Sequence, residues 1–400
     1  MQQDNRPTLG VGMVGYAFMG AAHSQAWRTA PRFFDLPLDP RMRVVAGRDA
    51  DAVERAARRL GWEESTTDWH TLLERDDVQL VDVCTPGDTH AEIAIAALGA
   101  GKHVLCEKPL ANSVAEAERM VDAAEAAWRT NGTLAMVGFT YRRVPAVQLA
   151  RELVADGRIG RIRHVRAQYL QDWLADETAP LTWRLQKEKA GSGALGDIGA
   201  HIVDLAAFIT GERLTGVSAL TTTFVTERPL AVGRAGIAGE GDTGTGEVTV
   251  DDAAVFFGRL SGGGTASFEA TRYATGRKNA IRIEISGDRG ALAFDFEDMN
   301  VLEYFDAREP GRTAGFRRIL VTEPDHPYTG AWWPAGHGLG YEHAFTHQVV
   351  DLVGDIAAGR PPHPSFADGL AVQRVLDAVE RSSADGSRWI DIPAPDDSTD

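Results

Sequence analysis

The chain has only two cysteines in 400 residues, Cys84 and Cys106, and each lies inside an apolar, strand-like run. Two thiols cannot form a disulfide framework, and no CxxC pair is present to suggest a zinc site, so no metal is expected. No run of 18 apolar residues occurs, and the opening MQQDNRPTLG has neither a basic nor an apolar leader region. Neither a membrane span nor a secretion signal is expected, and the chain reads as cytoplasmic. Positive charge is scarce: 41 Lys and Arg against 57 Asp and Glu give a net charge of -16. Such a balance repels phosphate backbones and anionic lipid, which argues against nucleic acid or a membrane as partner. There is no internal repeat, and the one biased segment is the glycine-rich stretch 227–248.

The chain is longer than the roughly 250 to 300 residues at which a single core stops growing, which predicts two domains, 1–139 and 140–400. In the first, apolar runs (LGVGMVG, MRVVAG, VQLVDVC, KHVLCE, LAMVGF) alternate with helical spacing (DAVERAARRL, HAEIAIAAL, VAEAERMVDAAEAAW). This βαβ series predicts an α/β, Rossmann-type doubly wound parallel sheet. Thr89 with Glu92 and Ser113 with Glu116 have capping-box spacing, so helices should begin just after Thr89 and Ser113. A sheet of this kind binds ligands beyond the carboxyl ends of its strands. That singles out Gly15 to Gly20, Gly47 to Asp49, Thr85 to His90 (with Thr85, Pro86 and His90 as cofactor contacts) and Glu107 to Pro109. After residue 140, one helix at about 197–209 precedes long alternating strands, predicting an α+β domain with an open-faced, mainly antiparallel sheet. The connections 227–248 and 324–339 read as long loops, and a last helix is expected at about 368–382.

Three constellations could carry chemistry. Gly15, Ala17 and Gly20, with Phe18 and Met19 between them, form a GxGxxG fingerprint with alanine in the middle place, after a strand and opening a helix. There the backbone can approach a pyrophosphate and the helix N-terminus stabilises its charge. Lys108, between Glu107 and Pro109, could be aimed into the crevice as an ammonium donor, although a solvated turn lysine has the same spacing. Asp197 and His201, one helical turn apart and with Asp204 on the same face, fit a polar cavity wall and a capped structural helix equally.

The strings GYAFMGAAHS, CTPGDTHAEIAIAAL, CEKPLA, YRRVPA and GDIGAHIVDLA, in this order, resemble the glucose-fructose oxidoreductase, inositol dehydrogenase and rhizopine catabolism (Gfo/Idh/MocA) family. The resemblance spans nearly the whole chain. It implies that Lys108 is the lysine of the family's EKP motif and that Asp197 and His201 are its DxxxH pair. A homo-oligomer, a tetramer or a dimer, is expected through the open sheet, and a sugar or cyclitol is the expected substrate. Ala17, Gly87 and Thr140 depart from the family pattern.

Oxidation of a secondary alcohol needs a base, a cation for the developing alkoxide and a nicotinamide to take the hydride. His201 suits the base, since imidazole titrates near 6.5, and Lys108 suits the cation. Asp197 can bind a neighbouring hydroxyl. Tyr141, Arg142, Gln171, Trp173, Trp183 and Arg184 are candidate substrate contacts. The product would be a keto-sugar. Transient oxidation by an oxidoreductive glycosidase or lyase, or a sugar-sensing relative without turnover, are the alternatives. Either NAD or NADP could serve as cofactor. Gly47 stands where NAD enzymes place a carboxylate, and Arg48 follows it, which leans toward NADP.

Overall fold

The computed structural model describes residues 6–231 and 241–393. The chain divides into two compact units, 1–143 with 340–370, and 144–339 with 371–400.

The first unit is built on a six-stranded sheet, β1 Thr8–Val14, β2 Asp39–Ala46, β3 Glu64–Thr66, β4 Leu80–Val83, β5 His103–Cys106 and β6 Ala135–Val137. The order is β3-β2-β1-β4-β5-β6 and every pairing is parallel. Helices α1 Phe18–Phe33, α2 Ala50–Leu60, α3 Thr71–Glu74, α4 His90–Gly99 and α5 Val114–Asn131 connect the strands. All four residues of β4 are buried, as both faces of a parallel sheet require. The order reverses between β1 and β4, which places a ligand crevice where both strands end. Ser113 caps α5 as its spacing predicts, accepting from Glu116 N at 3.2 Å while its hydroxyl donates to the Glu116 carboxylate at 3.1 Å. Thr89 makes no cap. A 3-10 turn, Gly87–Thr89, precedes α4, and the Thr89 hydroxyl donates instead to Thr85 Oγ1 at 2.7 Å and Pro86 O at 2.9 Å.

The second unit opens with α6 Pro145–Ala155 and β7 Ile162–Leu170, followed by α7 Lys187–Ala190, α8 Ala200–Thr210 and β8 Leu214–Thr222. Strands β9 Glu227–Ala231 and β10 Gly241–Glu247 pair antiparallel on their own. The stretch expected to be one long loop therefore has a strand at each end, and its centre lies outside the described residues. β11 Ala253–Leu260, β12 Thr265–Thr271, β13 Ala280–Gly287, β14 Gly290–Asp295, β15 Val301–Asp306, β16 Arg317–Leu320 and, near the end of the chain, β17 Ile390–Asp391 complete a nine-stranded sheet with β7 and β8. Its order is β16-β15-β14-β13-β7-β12-β11-β8-β17, antiparallel except for β7 against β12. α6 and α8 pack on one face. On the other face Val255, Phe257 and Leu220 are exposed, so the predicted open face is present. The segment 324–339 contains a single 3-10 turn, and the Asn300 side chain ties its end, donating to Leu339 O at 2.9 Å and accepting from Leu339 N at 2.8 Å. The apolar stretch Lys187–Thr210 has the length to cross a membrane, but 83% of its most apolar window is buried inside the protein, as in a core helix.

Three elements end the chain: α9 Tyr341–Ala358, α10 Phe366–Ala384 and β17 Ile390–Asp391. α9 belongs to the first unit, where Phe345, Val349, Leu352 and Val353 join the core that also holds Trp27 and Ala30 of α1. The expected second domain, 140–400, is thus not one continuous stretch; the apolar face of α9 has its partner on α1, more than 300 residues earlier. α9 also carries an i, i+4 histidine pair, His343 and His347. The His343 ring caps the helix by accepting from Gly340 N at 3.0 Å, and His347 bonds Arg143 O at 2.9 Å.

Candidate active site

The fingerprint turn shows why its glycines are needed. Gly15 has φ +100°, and a Cβ there would come 2.6 Å from Cys84 O; at Gly20 a Cβ would come 2.3 Å from Gly15 O. Ala17 is the extended N-cap of α1, so alanine in the middle place is accommodated. No side chain caps this helix, and its first turn has no acidic residue. An anionic pyrophosphate fits such a terminus. Phe18 is exposed and stacks on Tyr341 with centroids 6.2 Å apart, and Met19 is half-buried beside it.

At the end of β2 the Tyr16 ring occupies the place of a side chain at residue 47; a Cβ on Gly47 would come 2.0 Å from the ring. The missing carboxylate therefore has a packing cause. Arg48 is exposed, and the Asp49 carboxylate caps α2 by accepting from Ala52 N at 2.9 Å. Gly87 has a similar explanation, because Asn112 Oδ1 lies 2.4 Å from where its Cβ would be. Asn112 thus fills the volume an asparagine at 87 would take. His90 joins two of the predicted segments, its ring nitrogens lying 2.9 Å from Thr85 O and 2.9 Å from Pro109 O.

Lys108 is half-buried directly after the buried Glu107 at the carboxyl end of β5. Nε2 of His23 on α1 is 3.0 Å from Glu107 Oε1, and its Nδ1 is 2.9 and 3.0 Å from the two Asp82 oxygens. Burial favours the neutral imidazole, but Asp82, with Cys84 beside it, holds the His23 pKa well above its ordinary value. His23, Asp82 and Cys84 are close enough together to hold a metal ion. However, the histidine and carboxylate atoms are in direct hydrogen-bond contact, closer than the roughly 3.4 Å between two ligands of a tetrahedral ion with bonds near 2.1 Å. Tyr141 is buried with its ring 6.4 Å from that of Tyr341. Arg142 is buried and paired with Asp368 at 3.3 Å, so much of its charge serves the packing of this unit.

In the second unit Asp197 lies in a π turn, Leu195–Gly199, which leads straight into α8 with His201 in its first turn. A widened turn of this kind often marks a functional site. Half-buried Asp251 holds its entry, accepting from Gly193 N at 2.7 Å and Leu195 N at 2.8 Å. His201 is buried with its ring 5.9 Å from that of Tyr169. The Tyr169 hydroxyl donates to Asn279 Oδ1 at 2.7 Å, Gln171 Nε2 donates to the same oxygen at 2.8 Å, and Trp173 Nε1 donates to Gln171 Oε1 at 3.1 Å. Arg184 lies over the Trp183 ring, 4.4 Å from its centroid. Arg272, fully buried, reaches within 3.9 Å of Asp197 Oδ2 and 4.0 Å of Asp252 Oδ1, and lies 5.5 Å from the Trp173 centroid.

The first unit thus gathers the fingerprint, Thr85, Pro86, His90, Glu107 and Lys108. The second gathers Asp197, His201, Gln171 and Trp173. The sequence reading passed over Tyr169, Asn279, Arg272, Asn112, Tyr341, His23 and Asp82. Only His23 carried a local signal, a histidine within the fingerprint helix.

A parallel sheet with this strand order, a glycine fingerprint at its switch point and an uncapped helix N-terminus define a dinucleotide-binding protein. Residues 9–139 match the family model described as an oxidoreductase family with an NAD-binding Rossmann fold, and residues 147–293 match the GFO/IDH/MocA C-terminal domain. The chain belongs to the Gfo/Idh/MocA oxidoreductases and is an enzyme of that family. The strings YLQDW, PLTWRLQK, AGSGALGD and PSFADGL carry a narrower resemblance, to levoglucosan dehydrogenase. The levoglucosan dehydrogenase of Pseudarthrobacter phenanthrenivorans is 43% identical over 390 residues, covering 96% of this chain and 98% of the relative. Levoglucosan dehydrogenase in complex with NADH and levoglucosan superposes with a TM-score of 0.89 at 42% identity, over 97% of this chain and all of that one. An oxidoreductase domain protein from Kribbella flavida gives a TM-score of 0.93 at 68% identity, over 97% of this chain and all of that one.

Proposed function

We propose that the enzyme removes hydride from a secondary hydroxyl of a sugar, anhydrosugar or cyclitol, with NAD as acceptor, and releases the keto compound. The observation that carries this reading is the wall formed by Asp197, His201, Tyr169, Gln171 and Trp173, together with 43% identity to a levoglucosan dehydrogenase. Vicinal hydroxyls need paired donors and acceptors, and aromatic faces suit the apolar C–H surface of a sugar ring. Bound nicotinamide supplies the hydride acceptor. His201 takes the hydroxyl proton at an imidazole nitrogen. Lys108 donates to the reacting oxygen and stabilises the charge that develops there. Asp197, with Arg272 beside it, accepts from a neighbouring hydroxyl and fixes the ring. Gln171, Trp173, Trp183 and Arg184 are the substrate contacts proposed in the second unit, and Tyr141 and Arg142 those proposed in the first.

NAD is proposed as the working coenzyme because solved relatives carry NADH and because Asp49, two residues beyond Gly47, is the carboxylate that follows β2. The lean toward NADP rests on exposed Arg48 alone. We further propose a cytoplasmic homo-oligomer, a tetramer or a dimer, assembled on the face that carries Leu220, Val255 and Phe257. Dinucleotide absorbance over a panel of pyranoses, anhydrosugars and inositols tests the reaction. Turnover without net NADH formation would favour transient oxidation.

A further inference from the structure

The cluster around His23 has a feature that packing alone does not require. His23 is 1% exposed, its ring lies 5.5 Å from that of Phe345, and each ring nitrogen faces a carboxylate. Ionised carboxylates only accept, so facing two of them both nitrogens donate and the ring is held as an imidazolium, in keeping with a His23 pKa raised well above its ordinary value. Asp82 is further held by Trp27 Nε1 at 2.8 Å and the Cys84 thiol at 3.4 Å. Three ionisable groups in the core of a parallel sheet are costly compared with apolar side chains of the same volume.

The cluster ends at Glu107, the residue before Lys108. Main-chain bonds hold this strand end, with Glu107 N donating to Val83 O at 2.9 Å and Gly138 N donating to Cys106 O at 2.7 Å. The carboxylate lies against Gly138, where Oε1 stands 2.8 Å from the position of a Cβ. Among the described residues, His23 supplies the side-chain donor, 3.0 Å from Oε1, that keeps it there. A glutamate released from this place would be an anion one residue from the ammonium that the proposed reaction needs.

We propose that His23 is a positioning residue: by binding Glu107 it keeps that carboxylate from drawing the Lys108 ammonium out of the place from which it meets the reacting oxygen. This rests on the role of Lys108 proposed above. It predicts that the two nitrogens of His23 are not equivalent in function.

Two variants of the full-length enzyme separate them. In His23→Gln the amide nitrogen falls near Nε2 and keeps the Glu107 bond; in His23→Asn it falls near Nδ1 and keeps the Asp82 bond. Each loses one of two buried bonds, so thermal midpoints should fall together. The expected result is that His23→Asn loses kcat by ~10- to 100-fold, the size of one charge-assisted bond. KM for NAD should stay within about two-fold, and His23→Gln should keep kcat within about three-fold of wild type. Adding Glu107→Gln to His23→Asn removes the released charge and should recover part of the lost rate. Equal kcat losses in the two variants, or full kcat in His23→Asn, would overturn the proposal. Crystal structures give a readout that needs no substrate: Glu107 should leave Gly138 and turn toward Lys108 in His23→Asn only. An unmoved Glu107 refutes the positioning role, whereas a wild type inactive on every polyol refutes the proposed reaction.

Discussion

Replacing Arg272 by methionine tests whether the buried guanidinium supports the Asp197 turn. Methionine fills much of the same volume but removes the charge and the bond from Nη2 to Asp251 O, 2.9 Å. Asp252, fully buried, then loses its nearby cation. Its Oδ2 still accepts from Phe224 N and Val225 N at 2.8 and 3.2 Å, but among the described residues Oδ1 makes no hydrogen bond and faces the guanidinium 4.0 Å away. At that distance and an effective dielectric constant near 20 the attraction is about 4 kcal/mol. Asp197 contributes less, because its side chain is 28% exposed and solvent screens it. Breaking a buried pair on one side costs about 3–5 kcal/mol, so the urea midpoint should fall by a corresponding amount. Tryptophan fluorescence follows this unit through Trp173, whose ring lies beside the guanidinium. Arg272→Lys should lose less, since one ammonium replaces the charge without the planar fork. A loss below about 1 kcal/mol in Arg272→Met would show that the guanidinium is not what holds Asp252 and the turn.

His347 is buried and its pKa is pushed down to about 3, first by burial. Because the folded value lies below the unfolded one near 6.5, its contribution is present above that pH and is lost as pH falls toward 3. The loss is about 1.4 kcal/mol per pH unit, or ~2 kcal/mol at pH 5. His347→Gln should therefore have a flatter melting profile between pH 7 and pH 5 than wild type; parallel profiles would refute this. Arg48→Ala should weaken whatever NADP binding exists and leave NAD nearly unchanged, read from steady-state constants for both coenzymes; equal losses would show that Arg48 does not read a 2′-phosphate.

The parts of the fold that were legible in the sequence are those whose cause is local. Gly15 and Gly20 stand where a Cβ would strike the backbone, and Ser113 caps its helix three residues from Glu116, so both could be read from spacing. Thr89 has the same spacing, but the Thr85 hydroxyl competed for its side chain and won. β7 was missed because its parallel partner β12 lies about 100 residues further on, and α9 because its apolar face meets α1. Arg272 and His23 were illegible as site residues for a related reason. A charged residue inside an apolar run has no meaning until the distant carboxylates that hold it are known, and those come from other elements. Gly47 stands in the sequence as a missing carboxylate, and only the fold shows the Tyr16 ring in that place.

The most direct test of the central claim is the rate of NADH formation by wild type and Lys108→Ala on the same cyclic polyol. The account predicts stoichiometric NADH and keto product from wild type. It also predicts a turnover number lower by at least ~10²-fold in the variant, as for loss of a group that stabilises developing charge in a dry site. An undiminished rate in Lys108→Ala on a substrate that wild type oxidises would contradict it.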